Sequence, residues 1–190
     1  MFTGIIEELG IVKNIRNLST VTVLEIKAGK ATEDIKTGDS IAVNGICLTV
    51  VKNEGGVLTF EAIPETTKST TIGSIKVRDK VNLERSLKIG DRLSGHFVTG
   101  HIDCVGVIRK KTHVHNNLCF EVAVPARYMK YCVPKGSISV DGISLTLTGA
   151  SSNTFMTYII PHTLKNTTLE FKGPSGKVNI EFDILAKRVG

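Results

Sequence analysis

The sequence predicts an all-β protein made of two tandem, similar barrels, and three observations predict it. The chain repeats itself in order: "SIAVNGICLTV" from Ser40 returns as "SISVDGISLTL" from Ser137, an offset of 97. Its apolar residues fall in short, β-branched, roughly alternating runs. Those runs are separated by "TGD", "NEGG", "HNN" and "SGK", where glycine, asparagine and aspartate supply turn conformations. Evenly spaced short strands close most simply into small barrels, which leave no exposed sheet edge.

Taken in chain order, residues 2–10, "FTGIIEELG", align with residues 98–106, "VTGHIDCVG". "TVTVLEI", "SIAVNGICLTVV" and "GVLTFEAI" follow as strands of the first unit, and "CFEVAV" and "SISVDGISLTL" as strands of the second. "ETTKSTTIGSI" and "PARYMKYC" break the alternation and are expected to form short helices. "IPETT" from Ile63 matches "IPHTL" from Ile160, Thr70–Thr71 matches Thr167–Thr168, and "VNLE" from Val81 matches "VNIE" from Val178. Blocks in one order at near-constant spacing describe a duplicated unit of about 95 residues. The expected domains are residues 1–90 and 97–187, joined by a linker at 91–96 inside "RSLKIGDRLSGH".

Period two assigns faces within the repeated phrase. Ile46, Leu48 and Val50 share one side of a strand and fill the barrel, while Cys47 and Thr49 look outward. Ser144 and Thr146 do the same in the second unit. Two equivalent outward surfaces, differing at Cys47 and Ser144, suggest two equivalent ligands.

Composition narrows the classes of function. Hydrophobic residues at 41% and charged residues at 22% are ordinary for a globular chain, and no apolar run reaches the roughly 18 residues of a membrane span. "MFTGIIEELG" lacks the basic start of a secretory signal, so a cytoplasmic location is expected. The net charge of +6 is scattered, aromatics are 5% and tryptophan is absent, which argues against a nucleic-acid surface. Cys47, Cys104, Cys119 and Cys132 have no paired spacing, so neither zinc nor a disulfide framework is expected. His113 and His115 in "KKTHVHNN" read as solvated residues of a polar hairpin loop rather than a metal pair.

The phrases "MFTGI", "GDSIAVNGICLTV", "VNLERSL", "GHFVTGHID", "KGSISVDGISLTL" and "IPHTL" together resemble the riboflavin synthase family over essentially the whole chain. The resemblance implies two six-stranded, Greek-key-like barrels, each binding one 6,7-dimethyl-8-ribityllumazine. It implies a dismutation that passes a four-carbon unit between two lumazines, giving riboflavin and 5-amino-6-ribitylamino-pyrimidinedione, with no cofactor and no metal. On matching positions it places the first site on Cys47, Leu48, Thr49, Glu61, Ala62, Ile63, Pro64, Glu65 and Thr66. Gly100, His101, Ile102 and Lys135 join that site, in the family from a neighbouring subunit. The second site falls on Ser144, Leu145, Thr146, Ile160, Pro161, His162, Thr163, Leu164 and Lys165, completed by Gly4, Ile5 and Ile6.

Among these, His101 is the expected proton-transfer group, because histidine titrates near neutrality. Ser144 and Thr146 are expected to position a water or the heterocycle, and Cys47 to shape its pocket rather than form a required adduct. Asp183 matches a family active-site carboxylate that orients a partner residue. His96 reads as structural or linker, and His162, standing where the first unit has Glu65, alters the local charge. The family assembles as a homotrimer through a C-terminal helix; the sequence stops at "AKRVG", so that helix is expected to be missing. This departure raises a rival reading, a non-catalytic lumazine- or flavin-binding fluorescent protein. Retention of Cys47, His96, His101, Ser144 and Thr146 favours the enzyme.

Overall fold

Alternating burial along each strand closes the chain into two barrels. The computed structural model describes residues 1–114 and 117–189. The first barrel comprises β1 (Glu8–Asn17), β2 (Thr22–Lys27), β3 (Ser40–Val43), β4 (Ile46–Glu54), β5 (Val57–Ala62) and β6 (Lys80–Arg85). The second comprises β7 (Cys104–Val114), β8 (Asn117–Ala123), β9 (Ser137–Val140), β10 (Ile143–Ala150), β11 (Thr154–Ile159) and β12 (Lys177–Phe182). Around the first barrel the order is β1-β2-β5-β4-β3-β6, and the second repeats it as β7-β8-β11-β10-β9-β12, every pairing being antiparallel. This is the all-β, tandem-barrel architecture expected from the repeat, with the six strands per barrel that the resemblance implies.

Short helices stand where the alternation breaks. Those after β5 and β11 are α1 (Pro64–Ser69) and α2 (Pro161–Lys165). Each begins with proline at its first turn, where a missing N–H costs nothing. One-turn 3₁₀ segments follow them, and a longer one covers Ala126–Tyr131, inside "PARYMKYC". A final helix, α3 (Ile184–Val189), follows β12 directly. Among the described residues no helix is long and apolar enough to cross a membrane.

Each barrel encloses its own core. Leu24, Ile41, Leu58, Phe60 and Leu83 are fully buried in the first, and Ile108, Phe120, Ile138, Phe155 and Ile180 in the second. Burying each such side chain contributes about 1.5–3 kcal/mol. His113 lies within β7, paired with Leu118, and not in the hairpin loop where the sequence placed it: the strand runs further toward the turn than the polar composition suggested. His115 lies outside the described residues.

The barrels meet on a pseudo-twofold seam built from the repeated "VN" and "NG/DG" positions. Asn82 Nδ2 donates to the Asp141 carbonyl and Asn179 Nδ2 to the Asn44 carbonyl, both at 2.9 Å. Their Oδ1 atoms accept from the N–H groups of Thr168 and Thr71, each at 2.8 Å. Both asparagines are fully buried. A buried amide is costly unless bonded, and this exchange bonds each amide across the seam. At its centre Gly45 and Gly142 (φ +78° and +81°) pass so closely that a Cβ on either would lie 2.5–2.7 Å from the other's backbone nitrogen. The symmetry breaks at Asp141, which receives Lys172 Nζ at 2.5 Å where the first barrel has Asn44.

Candidate active site

The outward face of the repeated phrase lies as period two predicts. Ile46, Leu48 and Val50 are buried, Cys47 is half-buried and Thr49 exposed; Ile143, Leu145 and Leu147 are buried, Ser144 half-buried and Thr146 exposed. The buried side chains of Leu48, Ala62 and Leu145 face the barrel cores, so these three expected contact residues offer a ligand only backbone.

Each outward face is covered by a segment from the opposite repeat. The Cys47 N–H donates to the Gly100 carbonyl at 2.9 Å, and the Ser144 N–H donates to the Gly4 carbonyl at 2.8 Å. Gly100 (φ +83°) leaves 2.5 Å between a notional Cβ and Cys47 Cβ, and Gly4 (φ +80°) leaves 2.6 Å to Ser144 Cβ. Only glycine adopts this backbone at such proximity without strain. The next residues then pack on the same barrels, Ile102 against the first core and Ile6 against the second. Gly100 and Ile102 thus reach the first barrel within one chain, with no neighbouring subunit needed for that contact. Phe2 and Val98 pair with each other between the two faces, and with Ala42 they form a small buried cluster against Cys47.

The remaining expected residues divide between the barrels. Glu61, Ala62, Ile63, Pro64, Glu65 and Thr66 run from the end of β5 into α1. Ile160, Pro161, His162, Thr163, Leu164 and Lys165 run from the end of β11 through α2. Ile6, His162 and Lys165 come together with Asn166 around a cleft of about 390 Å³. His101 and Ile5 are exposed at equivalent places beside the two glycines. Lys135 sits in the turn before β9, its N–H on the Leu147 carbonyl, and so belongs to the second barrel. A concavity of about 620 Å³ at the seam beside Asn44, Thr71, Phe171 and Lys172 includes none of the expected residues. The strand faces remain the better candidates, because the repeat varies its reactive residue there.

The two faces differ in chemistry more than the sequence revealed. His96 is not a linker residue: it is buried, and its Nδ1 lies 2.7 Å from Ser144 Oγ. Its N–H donates to the Thr3 carbonyl at 3.1 Å, which fixes it beside the Gly4 segment. Burial lowers the His96 pKa from the usual histidine value, with the Asp183 carboxylate partly opposing it. Burial thus favours the neutral ring, and the Nδ1–Oγ contact can run in either direction according to the tautomer. Asp183 itself accepts the Leu185 N–H at the start of α3 and acts on His96 through its field. Across the β9–β10 ladder Ser139 stands opposite Ser144, where the first barrel pairs Ala42 with Cys47. The Ser139 hydroxyl and His96 Nε2 are both buried without a hydrogen-bond partner among the described residues. One face therefore carries a thiol over an apolar floor, and the other a hydroxyl backed by an imidazole and a second hydroxyl.

Cys104 and Cys132 lie in the core of the second barrel. Burial pushes the Cys104 thiol up to about 12 and the Cys132 thiol up to about 11, so both are protonated at neutral pH. Among the described residues no group of histidine, cysteine and acidic side chains is placed to hold a metal ion.

Comparison with known proteins bears on the family and the fold. The family model described as "Lumazine binding domain" matches the chain twice, at residues 3–86 and 99–183. A riboflavin synthase of Actinobacillus pleuropneumoniae is 42% identical over 189 residues, covering 100% of this chain and 88% of the relative. That of Bacillus subtilis (strain 168) is 41% identical, covering 98% and 87%, and that of Mycobacterium tuberculosis is 40% identical, covering 100% and 96%. Among solved structures, LumP complexed with riboflavin superposes with a TM-score of 0.89 at 27% identity, covering 96% of this chain and 99% of that one. LumP complexed with 6,7-dimethyl-8-(1'-D-ribityl) lumazine gives 0.86 at 27% identity, covering 95% and 98%.

Proposed function

This chain belongs to the riboflavin synthase family, and we propose that it converts two molecules of 6,7-dimethyl-8-ribityllumazine into riboflavin and 5-amino-6-ribitylamino-pyrimidinedione. The observation that carries this reading is the paired but unequal faces, Cys47 over Ala42 and Ser144 over Ser139 with His96. One substrate used twice, as donor and as acceptor of a four-carbon unit, calls for two related sites that differ at the reacting end. Because both partners are the same lumazine, the exchange is redox-neutral and needs no external electron carrier.

The residues divide the work as follows. The Gly4 and Gly100 segments and the ends of β5 and β11 form the walls for each flat heterocycle. Polar groups at Thr49, Thr146, Glu65, Thr66, His162 and Thr163 serve the ribityl chain. At the second site neutral His96 holds Ser144 Oγ and exchanges its proton, so that the hydroxyl orients a water or the C7 region of the bound lumazine. At the first site His101 is the proton-transfer group, and Cys47 shapes the pocket. Holding two reactants in register supplies a large part of such a rate enhancement.

We keep residues 1–90 and 97–187 as the two lumazine-binding domains, with 91–96 between them, and a cytoplasmic location. Productive pairing of a first site with a second site takes place between chains, in a homotrimer as in the family, with Lys135 contributed across that contact. Incubation with the lumazine alone tests the reading: riboflavin absorbance should appear with no second substrate. Tight lumazine binding with no riboflavin formed would instead make the chain a fluorescent lumazine carrier.

A further inference from the structure

Each lumazine face is held in place by a buried carboxylate of the opposite barrel. At the end of β6, Glu84 is 4% exposed. Its Oε1 accepts the Thr3 N–H and the Thr3 hydroxyl, each at 2.7 Å, and its Oε2 accepts the Gly4 N–H at 3.0 Å. At the end of β12, Glu181 is 2% exposed and repeats the arrangement on Thr99 and Gly100, at 2.7, 2.7 and 2.9 Å. A second hydrogen bond in each turn, from Ile5 N–H to Thr3 Oγ1 and from His101 N–H to Thr99 Oγ1, fixes the residue beyond the glycine.

These clasps cross between barrels. Glu84 grows from the first barrel, and the Gly4 it holds touches Ser144 of the second; Glu181 grows from the second barrel, and the Gly100 it holds touches Cys47 of the first. The Glu84 clasp also sets the Thr3 carbonyl that receives the His96 N–H. No ion pair engages either glutamate among the described residues, so their bonding capacity is spent on these turns.

We propose that Glu84 and Glu181 are reciprocal positioning residues: Glu84 sets the second site, with its His96–Ser144 pair, and Glu181 sets the first site, with Cys47 and His101. The assignment of the two faces as lumazine sites rests on the function proposed above; the crossed control of the two segments does not. A glutamine keeps the shape and the Oε1 bonds but turns an NH₂ toward the glycine N–H, so that donor faces donor. The glycine then withdraws from Cys47 or Ser144, and the opposite face is left as it was.

The experiment reads amide hydrogen exchange and riboflavin binding in E84Q, E181Q and the unaltered chain. E181Q should speed exchange at the Cys47 amide and leave the Ser144 amide alone; E84Q should do the reverse. Riboflavin titration should lose affinity by about 10- to 100-fold at one class of site in E181Q and at the other class in E84Q, the scale expected for a buried charge-assisted bond. The His96 ring resonance should titrate closer to the ordinary histidine value in E84Q only. Should a glutamine variant fail to fold, T3V and T99V each remove the hydroxyl's bond to the glutamate together with the bond it accepts from Ile5 or His101 N–H, and should give the same crossed pattern, with T3S and T99S restoring it. Both amides quickening alike in each variant, or neither changing, overturns the proposal. If the unaltered chain binds no riboflavin, the function proposed above fails, and the amide pattern still decides this inference.

Discussion

His96→Asn is the substitution that separates chemistry from architecture most clearly. His96 is buried, its Nδ1 is 2.7 Å from Ser144 Oγ, and its Nε2 has no hydrogen-bond partner among the described residues. Asparagine preserves a hydrogen-bonding atom near the Nδ1 position and removes the titrating ring. The lost neutral hydrogen bond and the removed orphan nitrogen nearly offset each other, leaving a stability change of about 1 kcal/mol. Loss of a proton-transfer group costs about 10²–10⁴-fold in rate. At 1.36 kcal/mol per decade that is about 2.7–5.4 kcal/mol, several times the stability effect. The assay is riboflavin formation as a function of pH, with thermal unfolding measured in parallel.

The pH dependence has a definite sign. Burial lowers the folded-state pKa of His96 below its ordinary value, so the folded chain takes up this proton less readily than the unfolded one. Its contribution to stability is intact above the unfolded value, about 6.5. It is lost as the pH falls from there toward the lowered folded value. Wild-type kcat should show an acid limb below 6.5 with the neutral ring as the active form, and H96N should lack both that limb and the matching slope in stability. An H96N variant with kcat within about twofold of wild type and an unchanged acid limb would refute the role given to this pair.

Cys47→Ser should keep measurable turnover, since serine is close in size and occupies the equivalent place in the second barrel; intact binding with abolished turnover would mean that the thiol forms a required adduct. His113→Ala, at the far end of β7, should change neither kcat nor KM. Asn179→Ala breaks bonds to the Asn44 carbonyl, the Thr71 N–H and the Thr71 hydroxyl. It should lower stability by about 2–4 kcal/mol, read as a shifted denaturation midpoint with little change in slope. If productive sites pair between chains, specific activity should fall on dilution in step with dissociation measured by sedimentation, whereas constant activity from a proven monomer would remove that part of the account.

Much of the fold was legible because a duplication prints its evidence twice. The period-two phrase fixed which of Ile46, Cys47, Leu48 and Thr49 face inward, and the "IPETT" and "IPHTL" blocks marked the prolines that start α1 and α2. The resemblance already places the Gly100 segment on the first site and the Gly4 segment on the second; that the Gly100 segment reaches the first barrel within one chain depends on contacts such as Gly100 with Cys47, which lie far apart in the sequence. His96, read from sequence as structural or linker, is given no partner there for the opposite reason. It occurs in one copy only, ahead of the aligned block, so no repeat flagged it, and its bond to Ser144 spans 48 residues. Ser139 carried a signal, the change from Ala42 within an otherwise conserved-looking phrase, whose meaning needed the β9–β10 register. Glu84 and Glu181 stand in plain view in "VNLE" and "VNIE"; alternation makes them strand residues, and only tertiary structure shows each bound to the N-terminal turn of its own repeat, which lies over the other barrel.

The central claim is that one substrate serves twice, on two unequal faces. Counting all three compounds during a single incubation tests it: the lumazine consumed against the riboflavin and the pyrimidinedione released, with no other carbon source present. Two lumazines should disappear for each riboflavin formed, with the pyrimidinedione appearing in equal amount. Riboflavin formed one-for-one from lumazine, or only after a separate four-carbon donor is added, would contradict the account.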